Sequence, residues 1–319
     1  MLRYRLGMAL GAGMKAIVKT ASGVSVENVP VPTIAAPDEV LIRVSLAGLC
    51  RTDMKVADGR VKSKIPVVLG HEFSGVVEEL GPAVTALKKG DRVAVMPLFA
   101  ATNSSLKNGL PSYASSTMLG MDHDGAFAEF VTVPAHSVFK LPDSVSFMTG
   151  AYMEPVAASM AVLNADIHPE QKGLIYGDNR ISRLTERVLL AKGFKDVSFC
   201  GEDANHPDNT FDFIIETLAT TETLRNMVRM LKPGGLIVFK SRQHLPVELN
   251  INALVMKDIR IQAVSYGSFK ESIDFVASGK LKVDDLLGEV YPLDKWREVF
   301  AEAHKSESLK IFFAPNGKM

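Results

Sequence analysis

From Lys15 to about Leu141 the apolar runs of this chain are short and broken by Gly, Pro or Asp, and from Glu154 onward their spacing changes. That change of period limits the fold more than any other feature. Residues 39–46, 75–80, 92–96 and 128–133 are β-rich stretches separated by turn residues, a spacing that predicts an all-β, barrel-like unit. Between 154 and 165, Val156, Ala157, Met160, Ala161 and Leu163 fall at helical intervals. Pro155 stands in the first turn, where a helix tolerates a missing N–H. Short apolar runs at 173–177, 197–200, 211–216 and 236–239 then alternate with helical stretches at 181–192 and 221–231. Strands alternating with helices imply a parallel sheet with helices on its faces. A last amphipathic stretch, 293–304, leads to a strand at 310–313 that is expected to return to the first unit.

The expected class is therefore α/β in two domains, which suits 319 residues. Residues 1–13 read as an N-terminal extension, 14–155 with 289–319 as the first domain, and 156–288 as the second. Lys+Arg and Asp+Glu both number 36, so the formal net charge is zero. No overall field recruits nucleic acid or an anionic membrane, and small polar partners are expected. No apolar run approaches the roughly 20 residues of a membrane-spanning helix. Cys50 and Cys200, the two cysteines, cannot form a disulfide framework, and a reducing cytoplasm is the expected compartment.

Cys50 lies at the end of an apolar run, and His71-Glu72 follow Val67-Val68-Leu69-Gly70 in a similar setting. A thiolate, an imidazole and one or two carboxylates suit Zn²⁺, and a site with three protein donors keeps a position open for substrate. Glu154, where the second pattern begins, is the natural third or fourth ligand. On spacing alone, a packing cysteine and an ordinary His-Glu pair are the better explanation of these residues.

Four segments change that balance. Gly70-His71-Glu72-Phe73-Ser74-Gly75-Val76-Val77, Gly90-Asp91-Arg92-Val93, Gly125-Ala126-Phe127-Ala128-Glu129-Phe130 and Glu154-Pro155 resemble, in order and spacing, the zinc-dependent medium-chain dehydrogenase/reductase family. The closest branch is that of polyol, sorbitol and threonine dehydrogenases. The resemblance implies a GroES-like, partly open β barrel carrying one catalytic zinc, and a Rossmann domain, doubly wound on a parallel sheet, that binds NAD or NADP. It implies Cys50 and His71 as metal ligands, with Glu72 and Glu154 as alternating or additional carboxylates. Thr52 matches the hydroxyl that relays the alcohol proton, with Glu72 as the other catalytic group. Arg51 matches a pyrophosphate contact. Homodimers or homotetramers, paired through the edge of the second sheet at residues 259–266, are implied as well.

Two departures stand out. The positions of the family's structural zinc fall on Ala100, Asn103, Leu106 and Ala114, so one zinc is expected and no structural zinc. The dinucleotide turn is Gly177-Asp178-Asn179-Arg180-Ile181-Ser182, which keeps one of three glycines. Asn179, expected to tolerate left-handed geometry, puts a side chain where phosphate would approach, and Arg180 or Arg183 would offset Asp178. The shortened stretch 201–210 deletes a strand and a helix of the family pattern, so Glu202 or Asp203 either stands in imperfectly at the adenosine ribose or, as the plainer reading, belongs to a solvated loop. The leading expectation is an oxidoreductase that interconverts a small polar secondary alcohol and its ketone. The rivals are a zinc-bearing lyase, isomerase or binding subunit without a dinucleotide, and a zinc-free reductase.

Overall fold

The computed structural model describes residues 13–100, 106–107, 110–201, 205–242, 246–305 and 309–317. In chain order the strands are β1 (Gly13–Thr20), β2 (Gly23–Pro30), β3 (Glu39–Gly48), β4 (Val67–Val68), β5 (Glu72–Leu80), β6 (Arg92–Val95), β7 (Leu98–Ala100), β8 (Leu106–Lys107), β9 (Leu110–Pro111), β10 (Ser116–Met118), β11 (Phe130–Pro134) and β12 (Val138–Lys140). There follow β13 (Lys172–Tyr176), β14 (Asp196–Cys200), β15 (Phe211–Glu216), β16 (Leu231–Phe239), β17 (Arg260–Ala263), β18 (Leu287–Tyr291) and β19 (Lys310–Phe313). The α-helices are α1 (Arg51–Ala57), α2 (Phe147–Ala151), α3 (Met153–Met160), α4 (Arg180–Ala191), α5 (Thr221–Met230), α6 (Ile251–Val255), α7 (Phe269–Ala277) and α8 (Trp296–Lys305). Among the described residues no helix is long and apolar enough to cross a membrane.

The chain forms two compact units, one holding it up to Glu154 and again from Val283, the other Pro155–Lys282. In the first, β3 is the organising strand. It pairs antiparallel with β5, β11 and β19, and β12 and β6 extend the sheet beyond β5. Ile42, Val44 and Ala47 of β3 pack with Phe73 and Val77 of β5, Phe127, and Phe313 of β19 in one core. Alternation commits Val40, Ile42 and Val44 to that core, and a register shift after Val44 brings Ala47 to it as well. The ends of β3, β5 and β19 therefore meet: Gly48 is opposite Glu72 on one side and Phe312 on the other.

The second unit is a five-stranded parallel sheet in the order β14-β13-β15-β16-β17. Both faces are buried, and successive residues serve opposite ones. Phe211 and Ile214 of β15 join Leu174, Tyr176 and Ile237 in one cluster, while Phe213 and Ile215 join Ile175 and Val238 in the other. Runs buried on both faces read as continuously apolar, as parallel strands do. Thr220 caps α5 by accepting a hydrogen bond from Thr223 N (3.1 Å), and Leu224, Met227 and Val228 follow at helical spacing into the first cluster.

Several boundaries differ from the sequence reading. The expected helix over 154–165 is α3 followed by a 3-10 turn, Ala161–Asn164. The strand expected at 236–239 starts earlier: α5 ends at Met230 and β16 runs from Leu231 through Pro233-Gly234-Gly235, with a register shift where Phe211 and Phe213 pair. Gly234 takes φ +77 there, and its N–H donates to Lys257 O at 2.7 Å. Cys200 closes β14 as a buried thiol whose pKa burial pushes up to about 11, so it stays protonated and inert near neutrality.

Candidate active site

Three strand ends and one short helix build the metal-ligand group. Cys50 follows β3 and precedes α1, so its side chain leaves the sheet where that helix starts. His71 and Glu72 stand at the entry to β5 and are each 1% exposed. One ligand atom from each of Cys50, His71 and Glu72 lies within 4.8 Å of the others. Glu154, also buried, is not part of that group. It acts on Glu72 as a neighbouring negative charge that raises the pKa of that carboxyl.

Asp53 ties the two sides of the site together. Its Oδ2 accepts from Cys50 N (2.9 Å), and its Oδ1 accepts from Gly70 N (3.2 Å) and pairs with His71 Nδ1 (3.0 Å). An ionised carboxylate only accepts, so Nδ1 carries the hydrogen and Nε2 is left to face the site. Nε2 has no hydrogen-bond partner among the described residues. Burial disfavours the His71 imidazolium, but Asp53 and Cys50 outweigh it and hold the pKa well above the imidazole range. A buried nitrogen without a partner beside a thiol and a carboxylate is the donor set a zinc ion fits. Fixing imidazole orientation through its other nitrogen is worth about 10–100-fold in metal affinity. Asp53→Asn, which turns one accepting oxygen into a donor, is therefore expected to weaken zinc binding by that factor, read by competition with a chromophoric chelator. Unchanged affinity would remove Asp53 from this role.

Lys310, the first residue of β19, is fully buried and forms an ion pair with Glu72. Gly48 makes room for it. A Cβ there would lie 2.6 Å from Lys310 Cε and 3.0 Å from Glu72 Oε2. Lys310 thus brings a buried positive charge to the carboxylate that stands in the ligand group. For Glu72, burial raises the pKa most, Lys310 and His71 lower it, Glu154 raises it, and the net shift is upward. Sequence reasoning missed both Asp53 and Lys310. The available signals were an aspartate three residues after Cys50 and a single cation against Ile311-Phe312-Phe313.

Thr52 is half-buried and Arg51 exposed, both in the first turn of α1. A cavity of about 390 Å³ between β1, β2 and β11, lined by Val18, Val29, Phe130 and Asp124, contains none of the ligand group. It is not where this chemistry is assembled.

In the second unit, Gly177 and Asn179 stand between β13 and α4, and Arg180 is the first residue of α4. Gly177 adopts φ +129, and a Cβ on it would lie 2.2 Å from Thr217 Oγ1, so that position requires glycine. Asn179 does not adopt the left-handed geometry that its residue type tolerates. It sits at φ −143, extended, because it is the N-cap of α4, with Oδ1 accepting from Ser182 N at 3.1 Å. Arg183 pairs with Asp178, at 3.0 Å. Glu202 and Asn103 lie outside the described residues, and residues 201–210 join β14, at the sheet edge, to β15. Gly177 thus fits a dinucleotide turn, and the capped end of α4 does not.

Residues 36–143 match the model of the alcohol dehydrogenase GroES-like domain. D-xylulose reductase A of Aspergillus niger is 26% identical over 91% of this chain and 93% of its own length. The structure of 2R,3R-butanediol dehydrogenase from Bacillus subtilis superposes with a TM-score of 0.85 at 25% identity, covering 95% of this chain and all of that one. The matched domain, these relatives and the two-domain fold support the zinc-dependent medium-chain dehydrogenase family for this chain. A further member described as a zinc-binding dehydrogenase, from Sinorhizobium meliloti and bound to NADP, is 25% identical with a TM-score of 0.84, covering 95% and 99% of the two chains. The GroES-like barrel and the Rossmann-like parallel sheet of this chain are those of the family fold.

Proposed function

We propose that this protein is a zinc-dependent oxidoreductase that interconverts a secondary alcohol of polyol, sugar or amino-alcohol type and its ketone by hydride transfer with NAD or NADP. The observation that carries the reading is the buried group of Cys50, His71 and Glu72, with His71 Nε2 lacking any other partner. Similarity along nearly the whole chain to polyol and diol dehydrogenases supports the redox reading over a lyase, isomerase or binding subunit.

Cys50, His71 and Glu72 would hold the zinc, with Glu154 as the nearby carboxylate. Bound there, zinc supplies a Lewis acid that polarises a carbonyl oxygen or acidifies an alcohol. Asp53 keeps the imidazole aimed, and Lys310 balances the second carboxylate. Thr52 Oγ1 would accept the alcohol proton and pass its own hydroxyl proton on to solvent, and Arg51 at the solvent face would offer a cation to the cofactor phosphates. The test is a panel of polyols, diols and amino-alcohols assayed for NAD(P)-linked oxidation by zinc-loaded and chelator-stripped protein. Oxidation of at least one class, lost on stripping and restored by zinc, is expected. No turnover of any ketone or alcohol by zinc-replete protein would sink the reading.

The unit also presents apolar surface suited to a second copy. Ile251, Val255 and Met256 of the α6 region and Ile261 of edge strand β17 are exposed. A homodimer or homotetramer that extends the sheet across β17 would cover them, since an open apolar edge strand is a pairing surface. Sedimentation should give a multimer for the native chain and a monomer for Ile261→Lys with Met256→Glu; a native monomer would refute the assembly. Two free cysteines, one of them a metal-ligand candidate, suit a reducing cytoplasm, which a fluorescent fusion would check.

A further inference from the structure

The turn between β13 and α4 satisfies itself. Asn179 Oδ1 accepts from Ser182 N (3.1 Å), and Asn179 Nδ2 donates to Thr217 Oγ1 (3.0 Å), so both ends of the carboxamide are held. Thr217 Oγ1 in turn donates to Tyr176 O (2.9 Å) and lies 2.9 Å from Ser182 Oγ. Tyr176 and Ser182 are fully buried, which anchors this network to the sheet and to α4. In a dinucleotide-binding turn the amides at this helix end receive the pyrophosphate, and the second glycine lets it approach. Here that glycine is Asn179 and one of those amides is already taken. The charges beside it give little help. Asp178 adds an anion, and Arg183, the cation next to it, is engaged by Asp178 at 3.0 Å and stacked over Phe199 with its guanidinium 5.3 Å from the ring centre.

Resting on the NAD(P) reading above, we propose that Asn179 sets dinucleotide affinity in this protein: its carboxamide occupies the phosphate-binding end of α4 and must leave Ser182 N before a pyrophosphate can bind. The dinucleotide then competes with a residue of the chain, and its affinity falls by the worth of one N-cap. Removing the competitor should tighten binding about five- to tenfold, the fold-change equivalent of one capping hydrogen bond. Asn179→Gly is the direct variant because glycine is itself an accepted N-cap residue, so α4 is retained. Asn179→Ala removes the carboxamide without adding backbone freedom.

The experiment is a fluorescence titration of zinc-loaded wild-type protein, Asn179→Gly and Asn179→Ala with NADH and with NADPH, after melting curves confirm that all three are folded. Both variants should bind the preferred cofactor at least fivefold more tightly than wild type. Tightening in the glycine variant alone would assign the effect to backbone freedom and overturn the proposal. Equal dissociation constants in all three would overturn it while leaving the NAD(P) reading intact. No binding of either cofactor to any of the three would overturn both.

Discussion

Cys50→Ser is expected to take zinc from about one ion per chain to near zero and to lower kcat/KM by at least about 10³-fold. A metal Lewis acid is worth several kcal/mol of transition-state stabilisation, and each 1.36 kcal/mol is a factor of ten. Serine keeps the shape of the side chain but not the soft, readily deprotonated donor. The fold should survive, since Cys50 is half-buried and the contact that links it to α1 is its backbone N–H to Asp53 Oδ2, 2.9 Å, which serine retains. Elemental analysis with steady-state kinetics is the measurement. A variant that keeps stoichiometric zinc or most of its activity would show that Cys50 is a packing residue after all.

Lys310→Met is expected to cost the metal-free protein about 3–5 kcal/mol, because it leaves the Glu72 carboxylate buried without its cation. Methionine keeps the length and bulk of the stem, so packing beside Gly48 is conserved. The pH dependence gives a second check. The pKa of Glu72 is raised in the folded protein, burial being the largest cause, and loss of Lys310 raises it further. A group with a raised folded pKa is tolerated fully below its unfolded value and works against the fold as pH climbs through the folded one. The gap between variant and wild type should therefore be smallest near pH 4, where Glu72 is protonated, and widen toward neutrality. Adding Glu72→Gln should recover part of the loss, since removing both charges is cheaper than stranding one. Chemical denaturation of the chelator-treated proteins at several pH values provides the data, and a pH-independent loss would mean that Lys310 acts by packing alone.

The two predictions differ in what made them visible. Cys50, His71 and Glu72 lie within 23 residues of one another in sequence, at the ends of apolar runs, and short motifs carry such information well. Lys310 comes from the far end of the chain, and its significance exists only because β19 pairs with β3 beside Gly48. Nothing local to Lys310 says that it will be buried against a carboxylate. Asp53 stands only three residues after Cys50, yet its three contacts could be read only once Gly70, His71 and Cys50 were brought to the same carboxylate. Asn179 does not use the left-handed freedom its residue type allows, because the start of α4 takes it as an extended N-cap.

The sequence by itself determined the change from a β-rich unit to a strand-helix-strand unit, the chemical types available for a metal site, and the loss of two glycines from the dinucleotide turn. Periodicity and residue type are local, and local signals survive without coordinates. Tertiary structure alone decided that Glu72 rather than Glu154 joins Cys50 and His71, that a buried lysine neutralises it, and that Asn179 spends its carboxamide on its own helix. Those outcomes depend on which strand ends meet in space, and pairings between distant segments are set by the collective packing of the core.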